Sequence, residues 1–118
     1  MPRDPRAYLA DIIASSDAIK TAIAGLDVTG YQASRLVRSA VEREFIIIGE
    51  AVAALAHRAP DWFAAITNAR RIIDFRNQLT HEYPTISDVV VFAIAAKDAP
   101  VLQRECTRLL EQSRGKPE

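Results

Sequence analysis

Phe45-Ile46-Ile47-Ile48-Gly49-Glu50-Ala51-Val52 is the stretch whose reading decides the fold. Leu36, Val37, Ala40, Val41, Ile48, Ala51, Val52 and Leu55 recur around it at helical spacing and form one stripe. Phe45 to Ile48 widen that stripe to nearly the whole circumference. A helix apolar all round is buried all round. In so short a chain, one face is expected to meet its own bundle and another a second subunit. Gly49 weakens a helix unless it lets another backbone come close. Glu50 stands in the same apolar setting, where a lone buried charge is costly. It either pairs with a cation, for which Arg76 is the candidate, or reaches solvent.

Working outward, the rest of the chain also reads as helix. Residues 1–4 form a short arm carrying a proline. Asp4 is placed to cap a first helix over 5–25, with Pro5 opening it. Leu9, Ile12, Ile13, Ile19, Ile23 and Leu26 supply its apolar face. Asp27-Val28-Thr29-Gly30 reads as a turn, and the second helix spans 31–57. His57-Arg58-Ala59-Pro60 ends it. A third helix is expected over 62–82, capped by Asp61, with apolar edges at Trp62, Phe63, Ile66, Ile72, Ile73, Phe75 and Leu79. Thr85-Ile86-Ser87-Asp88 resembles a capping box for a fourth helix, with Asp in place of Glu. Val89 to Ala96 has the β-branched content of a strand, but its alanines and neighbours favour helix. Asp98 is expected to cap a fifth helix, with Pro100 in its first turn, and residues 113–118 form a polar tail. The expectation is a single all-α domain over 1–118, an up-and-down bundle of four to five helices.

Composition narrows the function classes. The 118 residues are about half hydrophobic and a quarter charged, ordinary for a soluble globular protein. Fifteen basic residues balance fifteen acidic ones, which argues against a protein that coats nucleic acid, though not against a local basic site. Cys106 is the sole cysteine, so no intramolecular disulfide or cysteine-rich metal site can form. A reducing cytoplasm suits it. No stretch approaches the length of a membrane span. The two histidines, His57 and His81, are too few and too separated to argue for a metal site. No cofactor is expected.

Chemistry concentrates in Arg76-Asn77-Gln78-Leu79-Thr80-His81-Glu82-Tyr83, followed by Pro84. Proline disfavours helix at the residue before it, so the segment should end near Tyr83. Asn77 and His81 are four apart and share a helical face. Arg76 and His81 are five apart, about 140° round an ideal helix. Three arrangements can bring them together: Arg76 wraps round, the last turn tightens, or two such segments meet. An imidazole can take or give a proton near neutrality. A guanidinium forks onto two phosphate oxygens. Together they suit cleavage of an RNA phosphodiester by its own 2′-hydroxyl, which needs no metal. Arg70 and Arg71 precede the segment and reinforce its charge.

Arg76, His81 and Tyr83 match the R-x4-H-x-Y signature, and in this the chain resembles the HepT-like branch of the HEPN superfamily. Ile47-Ile48-Gly49-Glu50-Ala51 resembles that family's IGEA stretch. Pro60-Asp61-Trp62 resembles the entry to its third helix, and Asp98-Ala99-Pro100-Val101-Leu102 the entry to its last. The landmarks follow in order over most of the chain. The resemblance implies a small all-helical HEPN-like domain and a metal-independent endoribonuclease. It further implies a toxin encoded beside an MNT-type nucleotidyltransferase antitoxin and silencing by transfer of AMP to Tyr83. The second and third helices are expected to supply much of a homodimer interface, with the two Arg76/His81 sets lining a shared cleft. Arg76 and His81 would then be catalytic, with Asn77 and Glu50 in support. The competing reading is a non-catalytic nucleotide-binding module, or a partner subunit of the nucleotidyltransferase, which needs Arg76 but not His81. In the blandest reading His81 is a helix-end residue favoured by the macrodipole, and Tyr83 packs amphipathically.

Overall fold

The computed structural model describes residues 3–81 and 86–115, and each regular element in them is a helix. Helix α1 spans Pro5–Ile23. The Asp4 carboxylate accepts from the Arg6 backbone N–H at 2.9 Å, and Pro5 occupies the first turn, where its missing N–H costs nothing. Gly25, at φ 76°, turns the chain after the helix in a conformation that glycine adopts without strain. The arm is held down from Arg3 onward. Its guanidinium pairs with Asp11 at 2.9 Å and lies over the Tyr8 ring, while its carbonyl accepts from Arg58 at 2.8 Å.

The helix expected over 31–57 is two helices, α2 (Val28–Ala33) and α3 (Arg35–Arg58). Residues 27–30, expected as a turn, form the start of α2. The Asp27 carboxylate caps it by accepting from the Gly30 N–H at 2.8 Å. Ser34 breaks the run with an extended backbone, and its hydroxyl accepts from the Val37 N–H. That side chain replaces a helical partner for one of the orphan N–H groups of α3.

The helix expected over 62–82 is also divided, into α4 (Pro60–Ala65) and α5 (Ala69–His81). Asp61 does not cap: α4 begins at Pro60 after Ala59, and Asp61 falls in its first turn. Asn68 makes the break at φ 57°, a left-handed backbone that asparagine tolerates better than most residues. Glu105 pins this corner to the last helix. Its two oxygens accept from the Thr67 N–H at 3.0 Å and the Thr67 hydroxyl at 2.6 Å.

From Asp88 to Gly115 the chain is one rod: α6 (Asp88–Ala93), a π-helical turn (Ile94–Asp98) and α7 (Ala99–Gly115). Val89 to Ala96 is thus helical, as its neighbours imply. Ser87 caps α6 by accepting from the Val90 N–H; Thr85, where the expected capping box begins, lies outside the described residues. Asp98 does not start a helix, because the rod passes through it. Pro100 explains the π turn. Its ring would collide with the carbonyl four residues back in a regular helix. The turn widens just before it, and the Ala99 N–H bonds the Ile94 carbonyl instead. The rod runs on through Ser113, which the sequence places in a tail, and the Ser113 hydroxyl donates to the Leu110 carbonyl at 2.7 Å.

Helix α1 packs on α3 and α7, α3 also carries α5, and α2 packs on α6. The core joins Leu9, Ile12 and Ile19 of α1 to Val41, Phe45, Ile48, Val52 and Leu55 of α3, and reaches Ile73 and Leu79 of α5 and Leu102 and Cys106 of α7. The Phe45 and Phe75 rings meet edge to face at 5.2 Å. Phe45 and Ile48 are buried, whereas Ile46 and Ile47 are half-buried, so the all-round burial expected of α3 is only partly met within one chain.

Gly49 is where α3 and α5 cross. A Cβ at this position would lie 2.2 Å from Arg76 Cβ and 2.5 Å from its Cγ. Gly49→Ala therefore forces the helices apart and should cost about 1–3 kcal/mol or more, read as a lower midpoint in chemical denaturation. An unchanged midpoint would contradict the close crossing. Burial pushes the Cys106 thiol up to about 12, with the Glu105 charge adding to the effect. In the native protein it should stay unreactive toward a disulfide reagent at pH 8 and react fully once denatured.

Candidate functional site at the end of helix α5

The periodicity of α5 places its polar residues on two sides. Ile73 and Leu79 are buried; Asn77, Thr80 and His81 are exposed; Arg76 is half-buried. The helix stays α-helical through His81, so the last turn does not tighten to bring Arg76 and His81 together. They remain about 140° apart on α5. The Thr80 hydroxyl closes the last turn, 3.2 Å from the carbonyls of both Arg76 and Asn77.

Arg76 is held at its base by the Gly49 crossing. Its Nε is buried and has no hydrogen-bond partner among the described residues. A desolvated guanidinium N–H without an acceptor is costly; an arriving phosphate would meet the terminal nitrogens of this half-buried side chain. Glu50, the candidate partner, is exposed and makes no ion pair with Arg76. The solvent-reaching alternative for Glu50 is the one found. Asn77 lies one turn before His81 on the same exposed face. Tyr83 lies outside the described residues.

Arg70 and Arg71 sit at the opposite end of α5, about 15 Å along the axis from His81. The Arg70 guanidinium stacks over the Phe63 ring at 5.3 Å. Arg71 lines a groove of about 390 Å³ between α5 and the α6–α7 rod, floored by Phe45 and Ile48 and walled by Ile72, Phe75, Ile94 and Leu102. α5 thus brings Arg76, Asn77 and His81 to one tip and leaves Arg70 and Arg71 away from it.

A second polar cluster beside this tip was not singled out from sequence. Arg35, Arg38, Ser39 and Glu42 of α3 face Asp88 of α6 across Leu79 and Ile86. The signal for it was present: residues 35, 38, 39 and 42 follow the i, i+3, i+4, i+7 pattern of one helix face. Among the described residues, no three His, Cys, Asp or Glu side chains come together to hold a metal ion. No helix among them is long and apolar enough to cross a membrane.

An all-α bundle with a basic and imidazole-bearing helix tip is the class that fold and site define. The family model described as "Ribonuclease HepT-like" matches residues 12–109. The chain belongs to the HepT-like ribonuclease family. Two proteins of Methanocaldococcus jannaschii are similar to it along nearly their full lengths. "Putative RNase MJ1380" is 27% identical over 103 residues, covering 87% of this chain and 94% of that protein. "Putative RNase MJ1216" is 24% identical over 116 residues, covering 98% and 95%. No solved structure matches the chain.

Proposed function

We propose that this protein is an endoribonuclease that cleaves RNA without a metal ion, using Arg76 and His81. The observation that carries the reading is the half-buried guanidinium of Arg76 and the exposed imidazole of His81, five residues apart on the last turns of one helix. Family membership supports the substrate class.

The RNA 2′-oxygen attacks the adjacent phosphorus as one His81 imidazole removes its proton. The 5′-oxygen leaves with a proton from a second imidazole, giving a 2′,3′-cyclic phosphate and a 5′-hydroxyl. The Arg76 guanidinium binds the non-bridging oxygens as negative charge builds on them, which is where a preorganised cation helps most. Asn77, on the His81 face, orients the imidazole or the phosphate. The two imidazoles come from two chains. One α5 presents Arg76 and His81 to different sides, so a homodimer joining two α5 tips supplies both to one phosphate. The half-buried Ile46 and Ile47 of α3 leave apolar surface for that pairing.

The regulatory reading rests on the family resemblance. The protein acts as the toxin of a two-gene module in the cytoplasm. An MNT-type nucleotidyltransferase antitoxin transfers AMP to Tyr83, two residues beyond His81. A bulky anion there competes with RNA phosphate for Arg76.

Total RNA incubated with the protein and EDTA should be cut to products with cyclic-phosphate and 5′-hydroxyl ends. His81→Ala should lower the rate by about 10²- to 10⁴-fold, the usual contribution of a general acid–base group. Cleavage at the wild-type rate by His81→Ala would contradict the assignment. The intact mass of the same sample, before and after phosphodiesterase, identifies an AMP adduct that would mask activity. RNA affinity should fall steeply with salt, as expected when several phosphates are gripped. A weak salt response would favour the nucleotide-binding module over the nuclease.

A further inference from the structure

Between the start of α3, the last turn of α5 and the start of α6 lies a polar pocket of about 250 Å³. Its polar wall is Arg35, Arg38, Ser39, Glu42 and Asp88, and its apolar part is Leu79 with Ile86. Arg38 is braced: its guanidinium donates to the Gln32 carbonyl, and its Nε lies 3.8 Å from an Asp88 oxygen. Arg35 is exposed and, like the Ser39 hydroxyl, makes no hydrogen bond or ion pair among the described residues. Glu42 is half-buried and accepts no hydrogen bond among them. Burial raises its carboxyl above the ordinary range, the Asp88 charge adds to this, and Arg38 opposes it. The Tyr31 hydroxyl, within electrostatic reach of the same carboxylates, is buried with no partner.

This wall offers donors and acceptors together. Two carboxylates repel a phosphate, so an anion is a poor occupant. An uncharged planar group with N–H donors on one edge and acceptors on another fits both halves. Among the RNA bases, guanine is the one that sets two adjacent N–H donors, at N1 and N2, against acceptors at O6 and N7. A carboxylate takes the first pair, and a guanidinium forks onto the second. Leu79 and Ile86, the apolar part of the lining, offer cover to a base face.

The geometry points to a base-selecting pocket that takes a guanine of the RNA strand near the cleaved bond. Glu42 accepts from N1–H and N2–H, and Arg35 donates to O6 and N7. The inference rests on the RNA-cleaving reading and names the substrate feature that site would choose. Leu79 belongs to the pocket, and His81 lies two residues further, about 3 Å along the axis and about 200° round it. A strand seated in the pocket therefore crosses the tip of α5, past the Arg76 side, to reach the imidazole.

The test uses four short, unstructured oligoribonucleotides that differ only in one base, G, A, C or U. The wild type should cleave the guanine strand about 10- to 100-fold faster than the others, the discrimination of a good bidentate contact. In Glu42→Gln, and separately in the surface variant Arg35→Ala, that ratio should fall toward one. Equal cleavage of all four strands by the wild type, or an unchanged ratio in both variants, would overturn the pocket alone. Binding of the same strands to His81→Ala, followed by fluorescence anisotropy at fixed salt, separates the two claims. Guanine-preferring, Glu42-dependent binding without cleavage by the wild type would overturn the nuclease and leave the pocket standing. Neither cleavage nor guanine preference would overturn both.

Discussion

The crossing of α3 and α5 at Gly49 is the constraint on which the site depends. Helices usually pack with their axes 8–10 Å apart, and the side chains at the contact set the distance. Here one partner has no side chain, and the base of Arg76 fills the space. The close approach has two effects. It fixes α5 against the centre of the bundle at Arg76, one turn before the tip that carries His81. It also draws the Arg76 stem into the helix interface and leaves its Nε buried, without an acceptor among the described residues.

Other features serve this crossing. Glu105 on α7 grips Thr67 and so sets where α5 begins. The Phe45–Phe75 contact extends the α3–α5 seam. The π turn before Pro100 lets the last helix continue as one rod, which carries Glu105 on one side and the cap of α6 near the α5 tip on the other. Among the described residues the buried side-chain polar atoms without a partner are Ser16 Oγ, the Tyr31 hydroxyl beside the polar pocket and Arg76 Nε at the α5–α3 crossing.

Much of this was legible in the residues. Apolar spacing at period 3.6 made the chain all-helical, and Asp4-Pro5 marked the first helix start. Gly49 in a bulky apolar helix signalled a close backbone, although its partner is the Arg76 stem and Glu50 forms no pair with it. The breaks at Ser34 and Asn68 were not visible because apolar periodicity runs across both. A single side-chain cap, or one left-handed residue, interrupts a helix without disturbing the pattern on either side. The opposite error occurred at Asp98-Ala99-Pro100. A local start signal was overridden by a rod that widens one turn and continues. The Arg35–Glu42 face went unread because charged residues at helical spacing look like ordinary solvated surface until Asp88 and Leu79 are brought opposite. Tyr83 lies outside the described residues, so its role rests on the family resemblance.

The central claim is that two α5 tips form one catalytic cleft, each chain giving one imidazole. Mixed dimers test it most directly. Wild-type and His81→Ala chains are co-refolded at varied ratios, and RNA cleavage is measured at constant total protein. If both imidazoles act on one phosphate, activity falls as the square of the wild-type fraction. Activity that falls in direct proportion to that fraction would mean each chain carries a complete site, and would contradict the shared cleft.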